Sequence, residues 1–146
     1  MEPKVQSYQD LIVWQRGMDL TEAIYRLTET MPQTERYGLI SQMQRASVSI
    51  PANIAEGWGR QSTGDYIRFL KIAQGSAAEL ETELLLSIRL GLLTQEAAEQ
   101  ATSLLQELRK MLRSMVGSLQ RKVAGSITLA LLPILATAAA LLLAGR

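Results

Sequence analysis

The side chains able to do chemistry in this chain are carboxylates, guanidinium and ammonium groups, hydroxyls and amides, because it contains no His and no Cys. Without Cys there are no thiolate nucleophiles, disulfides or Cys-type zinc sites. Without His the commonest general base and the commonest metal ligand are both missing. The densest polar set follows Pro51: Asn53, Glu56 and Arg60, with Arg45 upstream and Trp58 held between two glycines. These residues could form a polar site at the end of a kinked helix. The structural account is simpler. A proline inside a helix leaves the carbonyl four residues earlier without its donor, so a kink is expected near Ser47. Asn53 is then expected to satisfy the freed carbonyl and Glu56 to pair with an arginine.

Arg45 sits among small residues. A buried or interfacial arginine there needs a carboxylate, which Glu56, Glu79 or Glu83 could supply. Glu79 and Glu83 are four apart and share a helix face. A carboxylate pair could hold a divalent ion, but di-iron bundles also use a Glu-x-x-His pair, so salt bridges are the better account and no metal or cofactor is expected. No catalytic set emerges. Trp14, Tyr66 and Phe69 fall at helical spacing and are expected in the core, whereas Trp58 is a candidate contact anchor. Arg109, Lys110, Arg113, Arg121 and Lys122 make a basic stretch. It fits an ordinary solvated face, an RNA contact or a lipid-headgroup contact. The net charge of +1 weighs against strong nucleic-acid binding.

The elements that must position these groups read as helices throughout. Leu and Ala dominate, and no alternating strand pattern competes. One helix is expected from about Tyr8 to Thr30, with Ser7 and Asp10 as a capping box and a core stripe of Leu11, Trp14, Met18, Thr21, Tyr25 and Thr28. A second runs from about Glu35 to Glu56, with Tyr37, Ile40, Met43, Ser47, Ile50 and Ile54 inward and Gly57-Trp58-Gly59 as its stop. A third spans about Thr63 to Leu90, and a fourth opens at Thr94. Short linkers between amphipathic helices favour an up-down-up-down four-helix bundle, all-α, over residues 1–122.

Gln42 to Arg60, with Arg45, Pro51, Asn53, Glu56, Gly57 and Arg60 in place, resembles the bacterial four helix bundle protein family, first met as products of intervening sequences in large-subunit ribosomal RNA genes. Asp10 to Gln15 looks like the family's opening. Tyr66 to Leu70, Gly75-Ser76 and Glu79 to Glu81 look like its third helix. The likeness runs from about Tyr8 to about Leu119. It implies a protomer that forms a homo-oligomeric ring, commonly a pentamer, with no catalytic residues. A similar branch, the accessory protein of diversity-generating retroelements, implies RNA as a partner.

Residues 123–146 stand apart. Val123 to Gly145 carries no charge over about 23 residues, roughly 35 Å as a helix, enough to cross a hydrocarbon core of about 30 Å. An additional apolar C-terminal helix is therefore expected, as a membrane anchor or packed inside an oligomer. Arg121 and Lys122 would keep the bundle cytoplasmic under the positive-inside rule. Pro133 is compatible with a membrane helix, and Ala136, Ala140 and Ala144 form a small-residue row suited to close packing. The expectation is a non-enzymatic, self-assembling scaffold or adaptor held at the inner membrane, with an RNA-binding accessory protein as the alternative.

Overall fold

The structure is a computed structural model that describes residues 5–144, and at positions 128–129 and 131–144 the backbone alone. Helices α1 (Ile12–Glu29), α2 (Leu39–Gly59), α3 (Thr63–Arg89) and α4 (Gln95–Ala144) follow one another with no strand among the described residues. Each packs on its sequence neighbours, and α1 closes the square against α4. The result is the expected up-down-up-down bundle.

Local signals set most of the helix ends. The Asp10 carboxylate accepts the Ser7 N–H at 2.9 Å, closing a one-turn 3-10 helix, Tyr8–Asp10, ahead of α1. A second 3-10 turn, Gln33–Glu35, delays α2 to Leu39. Ser62 Oγ accepts the Asp65 N–H at 3.0 Å to start α3, and Thr94 Oγ1 accepts the Ala97 N–H at 3.1 Å to start α4. Gly91, at φ +71°, reverses the chain between them.

Pro51 orients α1 against α2. It lies inside α2, so the Ser47 carbonyl has no helical donor. Thr21 of α1 supplies one: its hydroxyl reaches the Ser47 carbonyl at 3.0 Å and the Gly17 carbonyl at 2.9 Å. The expectation that Asn53 serves this carbonyl is corrected. The Asn53 amide points towards α3 and donates to the Ser49 carbonyl at 2.7 Å and the Ser49 hydroxyl at 3.0 Å. Gly17 makes the crossing close enough for the Thr21 bond, since a Cβ there would stand 3.3 Å from Pro51 Cβ. This contact also sets the rotation of α1. Val13, Gly17, Leu20, Ile24 and Leu27 turn inward, while Met18 and Tyr25 of the expected stripe are 39% and 43% exposed. Tyr37, placed in the α2 stripe by periodicity, lies before that helix begins and is exposed.

Small residues bring α2 and α3 together. Ala46 of α2 and Ala73 and Ala77 of α3 share the core, and the Ser49 and Ser76 hydroxyls bond at 2.9 Å. α2 ends at Gly59, within the expected Gly57-Trp58-Gly59 stop and without a left-handed glycine, and Gly57 itself is not the cap. It is buried within α2, where a Cβ would fall 2.8 Å from Phe69 Cβ and 2.9 Å from the Tyr66 ring.

The core of α4 is Ala98, Ala101, Leu105, Leu108, Leu112 and Val116. The helix then continues without a break through Lys122 and Val123, so the expected apolar helix is the continuation of α4. Among the described residues no helix is long and apolar enough to cross a membrane. Most side chains of Val123 to Gly145, including the Ala136, Ala140 and Ala144 row, lie outside the described residues.

Thr21→Val should cost about 1–3 kcal/mol by leaving the Ser47 carbonyl buried and unpaired. In a Pro51→Ala background residue 51 regains its N–H, and the same change should cost less than about 1 kcal/mol. Denaturant titration of the four proteins measures the coupling. Equal costs in both backgrounds would show that Thr21 does not serve this carbonyl.

Candidate functional site

The sequence-derived candidates separate into three surfaces. The first is the outer face of the α2/α3 seam. Arg45 projects from the rim of the seam and is exposed there, so of the buried and interfacial readings only the interfacial one remains. It bonds the Gln42 side-chain carbonyl and stands 4.0 Å from Glu79 Oε1. Glu83, one turn on from Glu79, is only 9% exposed, and its Oε2 has no hydrogen-bond partner. Burial pushes the Glu83 carboxyl up to about 7; Glu79 adds to the rise and Arg45 opposes it. Ile72, Leu86 and Leu90 border this polar strip and are 45%, 42% and 60% exposed. Two carboxylates and a guanidinium can attract a cationic side chain. They do not form a metal cluster, and no such cluster occurs among the described residues.

The second surface is the turn from α2 to α3. Glu56 and Arg60 form the expected ion pair at 2.5 Å. The Arg60 and Arg68 guanidinium groups lie 5.0 Å and 5.1 Å from the centre of the Phe69 ring. Trp58 packs edge-on against Tyr66 at 6.2 Å and is half-buried, so it is partly occupied within the protomer. Burial of the Tyr66 hydroxyl, which has no partner, raises its pKa. Of the aromatics expected in the core, Phe69 is buried, while Trp14 and Tyr66 are half-buried against it. Pro51 stands apart from these groups, on the side facing α1.

The third surface is on α4. Arg109 is neutralised by an ion pair with Glu81. Arg109 and Arg113 line a groove of about 370 Å³ with Gln74, Val116, Gly117 and Gln120. Lys110, Arg113, Arg121 and Lys122 are exposed and make no ion pair among the described residues.

Sequence reasoning missed Gly17, the placement of Thr21 and the orphaned oxygen of Glu83. Gly17 and Pro51 are far apart in sequence, and only their contact explains either. A carboxylate spaced four residues from another gives no sign of which will be buried.

Over residues 9–114 the chain matches the family described as 23S rRNA-intervening sequence protein. It is also similar to a crystal structure of a protein with unknown function from the S23 ribosomal protein family of Bacteroides thetaiotaomicron VPI-5482. That likeness has 31% identity and a TM-score of 0.66, and covers 72% of this chain and 98% of the other. No curated protein matches the chain.

Glu83 also carries a pH dependence. Its pKa rises from an ordinary 4.5 to about 7 on folding, so the folded chain holds the proton more tightly. The associated stability is complete below about pH 4.5 and is lost as pH rises through about 7. Glu83→Gln keeps the group neutral at every pH. In urea titrations between about pH 5 and 8, the wild-type midpoint should fall relative to that of Glu83→Gln. Parallel profiles would refute the assignment.

Proposed function

We propose, from the premise that this chain belongs to the 23S rRNA-intervening sequence protein family, that it is a non-catalytic scaffold: a four-helix head that assembles with copies of itself and is tethered to a membrane by the C-terminal part of α4. The observation that carries this reading is the unbroken length of α4. Its 50 residues extend about 75 Å, against about 40 Å for the 27 residues of α3. Beyond the bundle its sequence has no charge between Lys122 and Arg146. A helix apolar all round needs cover on every side, which one small bundle does not provide. Lipid provides it, and Arg121 and Lys122 favour a cytoplasmic head.

Self-assembly is supported by the exposed Ile72, Leu86 and Leu90 beside the Arg45–Glu79 strip, an apolar and charged surface of the kind that subunit contacts use. The pentamer implied by the family resemblance is the assembly proposed.

The second reading is RNA contact, favoured by the family's description and by the unpaired cations of α4. It predicts RNA retention by the purified protein that falls steeply with added salt. Retention that persists after Lys110, Arg113, Arg121 and Lys122 are changed to Gln would remove these residues from that role.

Two measurements test the main reading. In a bacterial host the full chain should remain in the membrane pellet after alkaline carbonate extraction. Leu132→Arg with Leu135→Arg should release it, each arginine costing about 2.5–3.5 kcal/mol near the centre of a span. Wild-type chain found wholly in the soluble fraction without detergent would refute the tether. Light scattering of the chain ended after Lys122 should give a discrete oligomer, and Leu86→Glu should dissociate it. A monomer at micromolar concentration would refute self-assembly.

A further inference from the structure

The two ends of the bundle differ in composition, and α4 leaves through only one of them. Arg109 pairs with Glu81, and residues 113–120 of α4 share a groove with Gln74 of α3. Extending this antiparallel register brings Arg121 and Lys122 level with Arg68, and Ile127 level with the start of α3 at Thr63. The helix therefore exits beside the α2/α3 turn. Trp58, Tyr66 and Phe69 gather at this end. Trp58 packs edge-on against Tyr66 at 6.2 Å, both half-buried.

Cations surround the same exit. Arg60 and Arg68 are held at the surface by the Phe69 ring between them, and Arg121 and Lys122 are exposed on α4. The acids nearby are Glu56 and Asp65. Glu56 pairs with Arg60, and Asp65 lies 4.0 Å from Arg68. A half-buried Trp58 ringed by arginine and lysine suits the boundary between water and hydrocarbon. Ile127, 55% exposed at the level of the α3 start, marks where apolar cover must begin.

We infer that the end of the bundle from which α4 emerges is a lipid-facing surface, in which Arg60, Arg68, Arg121 and Lys122 contact the phosphates of anionic headgroups while Trp58 rests at the interface. This rests on the tether reading and adds the orientation of the head: seated end-on against the bilayer, with the α2/α3 face left free at its side. Anionic lipid is the occupant because the surface offers several cations around an apolar helix, and each basic group near such a membrane adds to the attraction.

Trp58 makes the test direct, with Trp14, the other tryptophan, removed as Trp14→Phe. The full chain is reconstituted into vesicles of phosphatidylcholine alone or mixed with phosphatidylglycerol, each carrying a headgroup spin label that quenches tryptophan. Quenching is expected, stronger with phosphatidylglycerol and weakened by salt. Arg121→Gln with Lys122→Gln should reduce it. Those two residues make no ion pair among the described residues, so the bundle should stay folded, which circular dichroism checks. Arg60→Gln with Arg68→Gln is a second variant with the same expected loss. Carbonate-resistant chain whose Trp58 is unquenched would overturn the end-on surface and leave the tether intact. Quenched chain that carbonate strips off would uphold the surface and overturn the tether. Equal quenching in both lipids would overturn the assignment of anionic headgroups, and no association with either vesicle would overturn both proposals.

Discussion

A carbonyl without its helical donor organises one side of this bundle. Pro51 cannot bond the Ser47 carbonyl, and burial of that group requires a partner from elsewhere. Only α1 can bring one, and only at short range, because the Thr21 hydroxyl is on a short side chain. Gly17 allows the approach. The rotation of α1 follows, and with it the choice of Val13, Leu20, Ile24 and Leu27 as core residues over Met18 and Tyr25. A hydrogen bond and a steric gap thus set a core stripe that differs from the one periodicity alone suggested.

The opposite side of α2 works by close packing. Gly57 admits the Phe69 and Tyr66 side chains, and Ser49 meets Ser76 where larger residues would hold the helices apart. Close approach of the backbones pulls Glu83 out of water without giving its second oxygen a donor. The seam thereby combines a carboxyl whose proton is held up to about pH 7 with an exposed Arg45–Glu79 pair and a rim of Ile72, Leu86 and Leu90. Burial and exposure on one face give it both chemical character and room for a partner.

α4 joins these parts to the region beyond the bundle. No break separates its core segment from the uncharged continuation, so a force on the C-terminal part is transmitted to the head through a hydrogen-bonded helix instead of a loop. The cations and aromatics at its exit come from two other stretches of chain as well: the end of α2 and the start of α3. Their convergence depends on the antiparallel register of the bundle.

The all-helical class, the four amphipathic segments, the cap at Ser7 and the opening of α4 at Thr94 were legible from residues alone, because each depends on interactions within a few positions. That Glu56 pairs with an arginine was legible for the same reason, and the structure decides that it is Arg60 and not Arg45. The partner of the Pro51 gap was not: Asn53 was the near candidate, and the donor came from Thr21 on another helix. The Gly57-Trp58-Gly59 stop was legible, but the packing role of Gly57 was not, since the Phe69 and Tyr66 side chains it accommodates approach only when α3 folds back. The burial of Glu83 and the exposure of Arg45 were likewise decided by packing. Sequence determined what each helix could be. Tertiary structure decided which face it buried, because burial is a property of pairs of helices and the deciding contacts, Gly17 with Pro51 and Gly57 with Phe69, span distances in sequence that no local pattern encodes.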